Sequence, residues 1–375
     1  MIQNMKPKLV GLSVTVAALA MSGCIATAQA SGQEPSDAIT HTASTDNCAP
    51  ADGLAFICGA HHVEDLALLP GTDLVVGSSR IGSGAPQGSL LLFDAANRTV
   101  TTLQFDISVA PLAEFSECPG PPDLTNFDPH GLAIREVAGS EPVALVVGHG
   151  ARESVELFEI DPAASPAAAR WLGCVMMPAG ASGNSVAPLA DGGFVVTKFF
   201  DTADDGPSFP EQMLTEAETG LVYRWSPGEG YSVVPGTQDA GNNGIATTAD
   251  EQTLFVNLWP KNIIKQVPLN GGGEAFDIPI GFMPDNIHRI DDGRFVIGGH
   301  IATPQILFGC KREHCLVDWA VAILDPETHA IDYLRWDKGV STFEGITGAI
   351  QVGNELWLST YYGDRIAIMP LPPSS

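Results

Sequence analysis

The apolar residues of the chain fall into short runs that follow one recurring pattern. Each copy begins with a polar residue, a small or polar residue and an aliphatic one, reaches a turn six or seven residues on, and ends in a strongly apolar run. The six copies begin at Glu64, His130, Asn184, Asn243, Asp285 and Thr347. The intervals between these starts are 66, 54, 59, 42 and 62 residues. This spacing is close to the size of one four-stranded β-propeller blade with variable loops.

Turn signals fall between the strand-like runs, where hairpins need them. They are Pro70-Gly71, Asp191-Gly192-Gly193, Asp292-Gly293 and Gly353-Asn354. No long helical periodicity interrupts the pattern, so we predict an all-β fold, a six-bladed β-propeller with a central metal-binding tunnel, built as one domain from residues 48–375. A pair of β-sandwiches is the alternative, but sandwiches do not require a polar residue at one phase of every repeat.

The polar starts of the repeats are the main indication of function. The innermost strand of each propeller blade lines the central channel, so these residues are expected to converge on one axis. Each of them has an ordinary interpretation when taken singly, since Asn243-Gly244 is also a common hairpin turn. Together, their carboxylate and amide oxygens form the mixture that Ca²⁺ prefers. The predicted calcium ligands are Glu64, Asn184, Asn243, Asp285 and Asn286. Zinc is disfavoured because no C-x-x-C spacing occurs and the histidines are not clustered as ligands.

Three histidines are candidates for proton transfer, because imidazole titrates near neutral pH. His130 begins the second repeat, where it could activate a water molecule beside the metal. His149, just past the apolar run of that repeat, could hold the tautomer of His130 or pass on its proton, and His300 occupies the matching place in the fifth repeat. A structural role is an equally good interpretation of His149 and His300. We assign no role to the remaining six, which are His41, His61, His62, His288, His314 and His329.

Composition and charge exclude several classes of function. The formal net charge of the 375-residue chain is -26, which leaves no basic surface for nucleic acid or anionic lipid. The acidity suits cations, although it would also keep an exported protein soluble. The chain has no G-x-S-x-G nucleophile elbow, no phosphate-binding P-loop and no dinucleotide-binding turn in the right setting, so serine hydrolase, ATP and NAD chemistry are all disfavoured.

The first residues predict export. Lys6 and Lys8 precede an apolar stretch that is too short to span a bilayer, which is typical of a signal peptide. Residues 1–23 form the predicted leader if the lipobox-like Met21-Ser22-Gly23-Cys24 is processed, and cleavage after residue 30 is the alternative. If the leader is cleaved before Cys24, that cysteine would carry a lipid anchor and residues 24–47 would form a flexible tether. We expect an outer-membrane or periplasmic lipoprotein, or otherwise a soluble periplasmic or secreted protein.

Cysteine parity supports the lipoprotein interpretation. The chain has seven cysteines, and lipidation of Cys24 would leave an even number for disulfides. The other six allow three disulfides in about 15 connectivities. Spacing alone favours only a local bridge between Cys310 and Cys315.

Five segments of the sequence resemble the paraoxonase/arylesterase family. They are VEDLALLPGTDLVVGSS around Glu64, FDPHGLA around His130, VGHGARESVELFEI around His149, GNNGIATTADEQTLFV around Asn243 and PDNIHRIDDGRFVIGGH around Asp285. The resemblance runs from about His62 to Leu371 and extends more distantly to the gluconolactonase and strictosidine-synthase group of six-bladed propellers. It implies a catalytic Ca²⁺ at the predicted ligands, a dyad of His130 and His149, and a further active-site histidine at His300.

The resemblance also implies a second, structural calcium bound by Asp65. Its other ligands would be the backbone at Leu132 and an acidic residue for which this chain has Ser185, so the site is weakened or lost. The family's disulfide between the chain ends also lacks its C-terminal cysteine. Ring closure must therefore rest on strand pairing or other disulfides, and an early strand near residues 53–57 is a candidate for completing the last blade.

The function implied by the resemblance is calcium-dependent hydrolysis of a small-molecule lactone or aryl ester. His130 would remove a proton from water, or Asp285 would act as a nucleophile, and the sequence does not separate these mechanisms. Alternatives are phosphotriester hydrolysis at the same site, a non-enzymatic propeller scaffold in the cell envelope, and a lyase or synthase like strictosidine synthase. Substrate choice would be set by loops such as residues 111–127 and 201–219. The sequence leaves the oligomeric state open.

Overall fold

The computed structural model describes residues 48–82, 84–203, 206–309, 317–337 and 343–372. The predicted leader, the tether, the lipid anchor at Cys24 and the proposed Cys310–Cys315 bridge lie outside these residues. No helix in the described ranges is long and apolar enough to cross a membrane.

The first half of the described chain forms one short strand and three blades. Strand β1 (Ala55–Cys58) comes first. Blade 1 consists of β2 (Val63–Leu68), β3 (Leu74–Ser79), β4 (Ser89–Asp94) and β5 (Thr99–Thr102). Blade 2 consists of β6 (Gln104–Asp106), β7 (Asp128–Arg135), β8 (Val143–His149), β9 (Ser154–Asp161) and β10 (Ala168–Met176). Blade 3 consists of β11 (Ala181–Pro188), β12 (Phe194–Asp201), β13 (Leu221–Ser226) and β14 (Gly230–Val233), with helix α1 (Phe209–Leu214) between β12 and β13.

The second half supplies the other three blades. Blade 4 consists of β15 (Asn242–Thr247), β16 (Thr253–Leu258), β17 (Ile263–Pro268) and β18 (Phe276–Pro279). Blade 5 consists of β19 (Met283–Arg289), β20 (Phe295–His300), β21 (Trp319–Leu324) and β22 (Ile331–Asp337), with helix α2 (Pro304–Gly309) between β20 and β21. Blade 6 consists of β23 (Ile346–Val352), β24 (Glu355–Thr360) and β25 (Arg365–Pro370).

The six sheets confirm the predicted six-bladed β-propeller. Strands β2, β7, β11, β15, β19 and β23 are each the innermost strand of a blade, at one edge of its sheet, and each touch the corresponding strand of the next blade, β23 touching β2. They contain the six polar starts read from the sequence. Two glycines allow this close approach, because a Cβ at Gly131 would lie 2.2 Å from the carbonyl oxygen of Asn184, and one at Gly244 2.3 Å from that of Asp285.

Strand β1 closes the ring. It is the early strand that was predicted near residues 53–57 as a candidate for completing the last blade. It pairs antiparallel with β25, with Ala55 opposite Ile368 and Cys58 opposite Arg365, and so becomes the fourth strand of blade 6. A disulfide joins Cys48 to Cys58, and a second one joins Cys118 to Cys174 in blade 2. Sequence spacing indicated neither bridge, because both depend on which strands and loops the fold places side by side.

The hydrophobic core lies between adjacent blades. Trp357 of blade 6 meets Phe93 of blade 1 edge to face at 6.2 Å, and Phe255 of blade 4 meets Phe295 of blade 5 at 4.8 Å. The apolar runs of the sequence form these buried contacts between blades. The blades therefore form a fixed frame around the polar residues of the inner strands.

Candidate functional site

Each inner strand is irregular where its polar residues occur. The pairing with the second strand of the blade shifts register around Glu64, His130, Asn184, Asn243, Asp285 and Thr347. A β-bulge bends the strand and re-aims a side chain that regular pairing would direct into a sheet face. The recurring polar triplets of the sequence thus correspond to six bulges around one axis.

The five predicted calcium ligands are all buried at these bulges. Asn286 donates its side-chain N–H to Oε1 of Glu64 over 2.9 Å, and the side chain of Asn243 hydrogen-bonds the Asp285 carboxyl. Asn184 is buried at the bulge of β11. The structure therefore brings residues from β2, β15 and β19 into direct contact, and the inner strands place Asn184 in the same ring.

Unpaired oxygen atoms mark this centre. Within the described ranges, no hydrogen-bond partner occurs for Oε2 of Glu64 or for Oδ1 of Asn184, Asn243 and Asn286, although all four atoms are buried. A buried acceptor without a donor carries a desolvation cost of about 1–3 kcal/mol. Asn242 and Asn257 also leave an oxygen unpaired, so the feature that distinguishes this centre is that four such atoms occur at the axial bulges. This donor set fits a hard cation that takes oxygen ligands.

Backbone contacts hold the centre in place. The Thr347 and Ser359 hydroxyls donate to the carbonyl oxygen of Glu64 at 2.6 and 3.0 Å. The Thr197 hydroxyl donates to the carbonyl of Asn243, and the Asn257 side chain donates to that of Asp285. Thr347, the sixth polar start, therefore fixes the backbone of Glu64.

The two carboxyl groups of the centre differ in charge state. Burial raises the pKa of Asp285 well above its usual range, and the negative charge of Glu64 raises it further. Burial would also raise the pKa of Glu64, but His130 and Arg80 outweigh it and leave this pKa lowered. Like charges in a dry site cannot both be ionised cheaply, so without a cation the site favours the protonated form of Asp285. A bound divalent cation would compensate both charges.

Asp65, the residue predicted to bind a second calcium, bonds a different set of partners. Its carboxylate accepts hydrogen bonds from Nε2 of His288 at 2.8 Å and from the backbone N–H groups of Leu132 and Leu66 at 2.9 and 2.8 Å. Ser185 is engaged through its backbone with Thr197. Protein donors already surround Asp65, the residue predicted to bind a second calcium.

The histidines predicted for proton transfer lie beside the centre. Nε2 of His130 is 3.5 Å from Oε1 of Glu64, and Nδ1 of His130 is 2.8 Å from Nε2 of His149. Burial lowers the pKa of His130, the charge of Arg80 lowers it further, and Glu64 opposes the shift. His130 is therefore suited to act as a neutral acceptor of a proton at the edge of the oxygen-rich centre.

His300 lies on the opposite side, against an apolar wall. The indole N–H of Trp259 donates to Nδ1 of His300 at 3.3 Å, and burial lowers the pKa of His300 to about 4. The imidazole is neutral at physiological pH, with its proton on Nε2, and Nδ1 is 3.8 Å from Oδ2 of Asp285. The rings of Phe199 and Phe308 meet that of Trp259 at 6.0 and 6.2 Å and extend an aromatic surface toward α1 and α2.

Sequence reasoning missed two charged residues beside His130. Asp128, the first residue of β7, accepts from the guanidinium of Arg80 and from the backbone N–H of Ile81. This pair places Nη1 of Arg80 3.5 and 3.4 Å from the two ring nitrogens of His130. Asp128 lies two residues before His130 in the DPHG segment, but no repeat or motif indicated that its partner would come from the end of β3.

Known structures share this architecture. A luciferin-regenerating enzyme matches with a TM-score of 0.54 and 11% identity, over 85% of this chain and 96% of that one. A gluconolactonase from Xanthomonas campestris matches with a TM-score of 0.52 and 18% identity, over 85% of this chain and 89% of that one. No protein-family model and no curated protein sequence matches the chain. At these identities the likeness establishes the fold, and the resemblance to paraoxonases stays a prediction.

Proposed function

We propose that the protein is a calcium-dependent hydrolase of lactones or aryl esters. The observation that carries the proposal is the set of four unpaired buried oxygens at the axial bulges, on Glu64, Asn184, Asn243 and Asn286, next to the protonated Asp285. These five residues would hold the ion. When bound, calcium supplies a Lewis acid that polarises an ester carbonyl and stabilises negative charge on its oxygen. The fold shared with a gluconolactonase is compatible with this chemistry.

The residues around the centre divide the remaining work. His130, at the edge of the centre, accepts a proton from the attacking water through Nε2, and His149 lies behind it. His300 is neutral and lies beside Asp285, with its Nδ1 3.8 Å from Oδ2 of that carboxyl group. The aromatic surface of Phe199, Trp259 and Phe308 provides contact area for an apolar substituent of the substrate.

The first test is turnover of a panel of lactones and aryl esters by the leaderless protein in calcium, in EDTA, and after calcium is restored. We expect activity to disappear with EDTA and to return with calcium. A protein that hydrolyses none of the panel, or that is indifferent to EDTA, would contradict the proposal. Thermal unfolding in the same three buffers reports calcium binding separately from activity.

Asn243→Ala distinguishes this function from a scaffold role. The variant removes a neutral ligand oxygen, so we expect calcium affinity to fall by at least about tenfold and hydrolysis to fall with it. Asn270→Ala is the matched control, because Asn270 is exposed and accepts a hydrogen bond from the half-buried Arg224 outside the inner strands. A propeller that functions through its rim would retain its activity in both variants.

The nucleophile is tested by one turnover in water enriched in heavy oxygen. If His130 activates water, the label enters the product acid directly. If Asp285 attacks the carbonyl, the first turnover leaves the label on the Asp285 carboxyl group, where mass spectrometry of the peptide detects it. His130→Gln should lower kcat by about 10²- to 10⁴-fold while calcium binding persists.

We also propose that the protein is exported. The Cys48–Cys58 and Cys118–Cys174 disulfides support this, since such bonds persist mainly in oxidising compartments. Fractionation of cells expressing the full chain, with Cys24→Ala as the comparison, tests the lipid anchor. The anchor predicts that the wild type partitions with membranes and that the variant is released.

A further inference from the structure

A third side chain lies behind the two histidines. Nδ1 of His149 is 2.9 Å from both oxygens of Glu153, on the opposite edge of the ring from the contact with His130. The three side chains therefore form a continuous chain of hydrogen bonds that begins at the carboxylate and ends at the Nε2 atom of His130, next to Glu64.

The orientation of the Glu153 carboxylate is itself fixed. Its Oε2 accepts a hydrogen bond from the backbone N–H of Gly183 at 3.1 Å and from the hydroxyl of Ser182 at 3.3 Å. Both residues belong to β11, immediately before Asn184 in sequence. Burial would raise the pKa of Glu153, but the bonds from His149, Gly183 and Ser182 outweigh it and leave this pKa lowered. Glu153 is therefore an ionised group that only accepts hydrogen bonds.

This carboxylate determines the position of every proton in the chain. Because Glu153 only accepts, the proton of neutral His149 must be on Nδ1, and its Nε2 carries a lone pair. That lone pair accepts the hydrogen bond from His130, so the proton of neutral His130 must be on Nδ1. The lone pair of His130 is then on Nε2, the atom that faces the axial centre.

Arg80 does not determine this order. Its Nη1 is almost equidistant from Nδ1 and Nε2 of His130, at 3.5 and 3.4 Å, so it favours neither nitrogen as the acceptor. Glu64 approaches Nε2 at a longer 3.5 Å. By contrast, the contacts from His130 through His149 to Glu153 are all 2.8–2.9 Å.

We propose that Glu153 is a positioning residue that fixes the tautomers of His149 and His130, so that Nε2 of His130 is the free base facing the reaction centre. This inference rests on the proposed function and adds a third member to the predicted pair of histidines.

The proton balance of the step follows from this order. An O–H bond of water breaks, its proton forms a bond to Nε2 of His130, and the oxygen keeps the electron pair and bonds to the carbonyl carbon. The π pair of the carbonyl moves onto its oxygen, and it reforms the C=O bond as the bond to the leaving oxygen breaks. The Nδ1 proton of His130 moves to Nε2 of His149, which becomes a cation beside the Glu153 anion. When the proton is returned along the same path, Nε2 of His130 delivers it to the leaving alkoxide or phenoxide oxygen.

Glu153→Gln tests the proposal, because an amide reverses the direction of the chain. Gly183 N–H and Ser182 attract the amide oxygen, which turns the amide N–H₂ toward His149. His149 Nδ1 must then accept, so both histidines change tautomer and Nε2 of His130 becomes protonated. We expect nitrogen NMR spectra of the histidine-labelled protein, recorded at alkaline pH without calcium, to show this exchange at both rings. We also expect kcat to fall by about 10²-fold with KM little changed.

Two further variants complete the experiment. Glu159→Gln is the matched control, because it removes the same charge from β9, the strand that follows Glu153, at a partly exposed pair with Arg170. It should leave tautomers and kcat unchanged. Glu153→Asp keeps the anion and should retain the wild-type tautomers with partial activity, and it also decides the proposal if Glu153→Gln does not fold.

The readouts separate this proposal from the proposed function. Wild-type spectra with the proton of His149 on Nε2, or a Glu153→Gln variant that folds and keeps the wild-type tautomers, would overturn the role of Glu153 whatever the activity. If the tautomers exchange as expected but no lactone or ester is hydrolysed by the wild type, the positioning role of Glu153 stands and the assignment of the reaction fails.

Discussion

Two carboxylates that are neighbours on strand β2 have opposite environments. Glu64 is buried at the axis with one oxygen that has no hydrogen-bond partner among the described residues, near a second carboxyl group at Asp285. Asp65 is equally buried, yet protein donors surround it, among them His288 at 2.8 Å. Across one bulge, a carboxylate with an unpaired oxygen thus lies next to a carboxylate that is surrounded by protein donors.

The difference shows how a buried charge is compensated in this fold. At Asp65 the compensation comes from the chain itself: burial raises the pKa of Asp65 and the charge of His288 opposes that rise, while Asp65 in turn raises the pKa of His288. At Glu64 we expect the compensation to come from a bound cation. His288, to which we assigned no role, therefore donates to the carboxylate that the resemblance assigns to a second calcium. We expect one calcium ion per protein.

Glu64→Gln should give the largest effect, a loss of calcium affinity. A unit charge interacts with another at 4 Å by about 4 kcal/mol at an effective dielectric constant of 20, so the affinity should fall by about 10³-fold. In EDTA the free energy of unfolding should not fall, because the change removes a buried charge beside Asp285. Calorimetric titration with calcium and urea unfolding in EDTA measure the two effects. Unchanged calcium affinity would mean that the ion binds elsewhere.

Asp65→Asn should have the reverse effect. It leaves His288 without its counter-charge in a buried pair, and breaking such a pair costs about 3 kcal/mol. We expect urea unfolding in EDTA to show this loss, while calcium affinity and stoichiometry stay close to those of the wild type. Both variants remove one carboxylate from adjacent positions of β2, so each is the control for the other. A lower calcium stoichiometry in Asp65→Asn would show that Asp65 does bind an ion.

The sequence predicted which residues lie on the inner strands, but not which partners their carboxylates would have. The recurring polar triplets located all six bulges, because a side chain can be polar at one phase of every repeat only if each strand turns it toward a shared axis. The partners of Asp65 and of His149 were not predictable in the same way. His288 is 223 residues from Asp65, and Glu153 lies in the loop between β8 and β9, where contacts with Ser182 and Gly183 of β11 orient it. The repeats thus specify the inner strands, while the contacts between blades decide which carboxylate is left open.

A third carboxylate, Asp128, extends the comparison, and we expect its substitution to have the smallest effect of the three. It is less buried than Glu64 or Asp65 and ties Arg80 and Ile81 to the start of β7 through hydrogen bonds of 3.2 and 2.9 Å. Burial would raise the pKa of Asp128, but Arg80 outweighs it and leaves this pKa lowered in the folded protein. The stabilisation is therefore fully present above the unfolded-state pKa and is lost as the pH falls through the lower, folded-state pKa.

Asp128→Asn should consequently destabilise the protein by about 1–2 kcal/mol at neutral pH, since the amide keeps one acceptor oxygen but loses the charge. The two unfolding free energies should converge as the pH falls below about 4. Urea unfolding over a pH series measures this, with Asp332→Asn as the control, because Asp332 is 70% exposed and lies 3.8 Å from Arg294. A difference that persists unchanged into acid would show that Asp128 acts through its shape and not its charge.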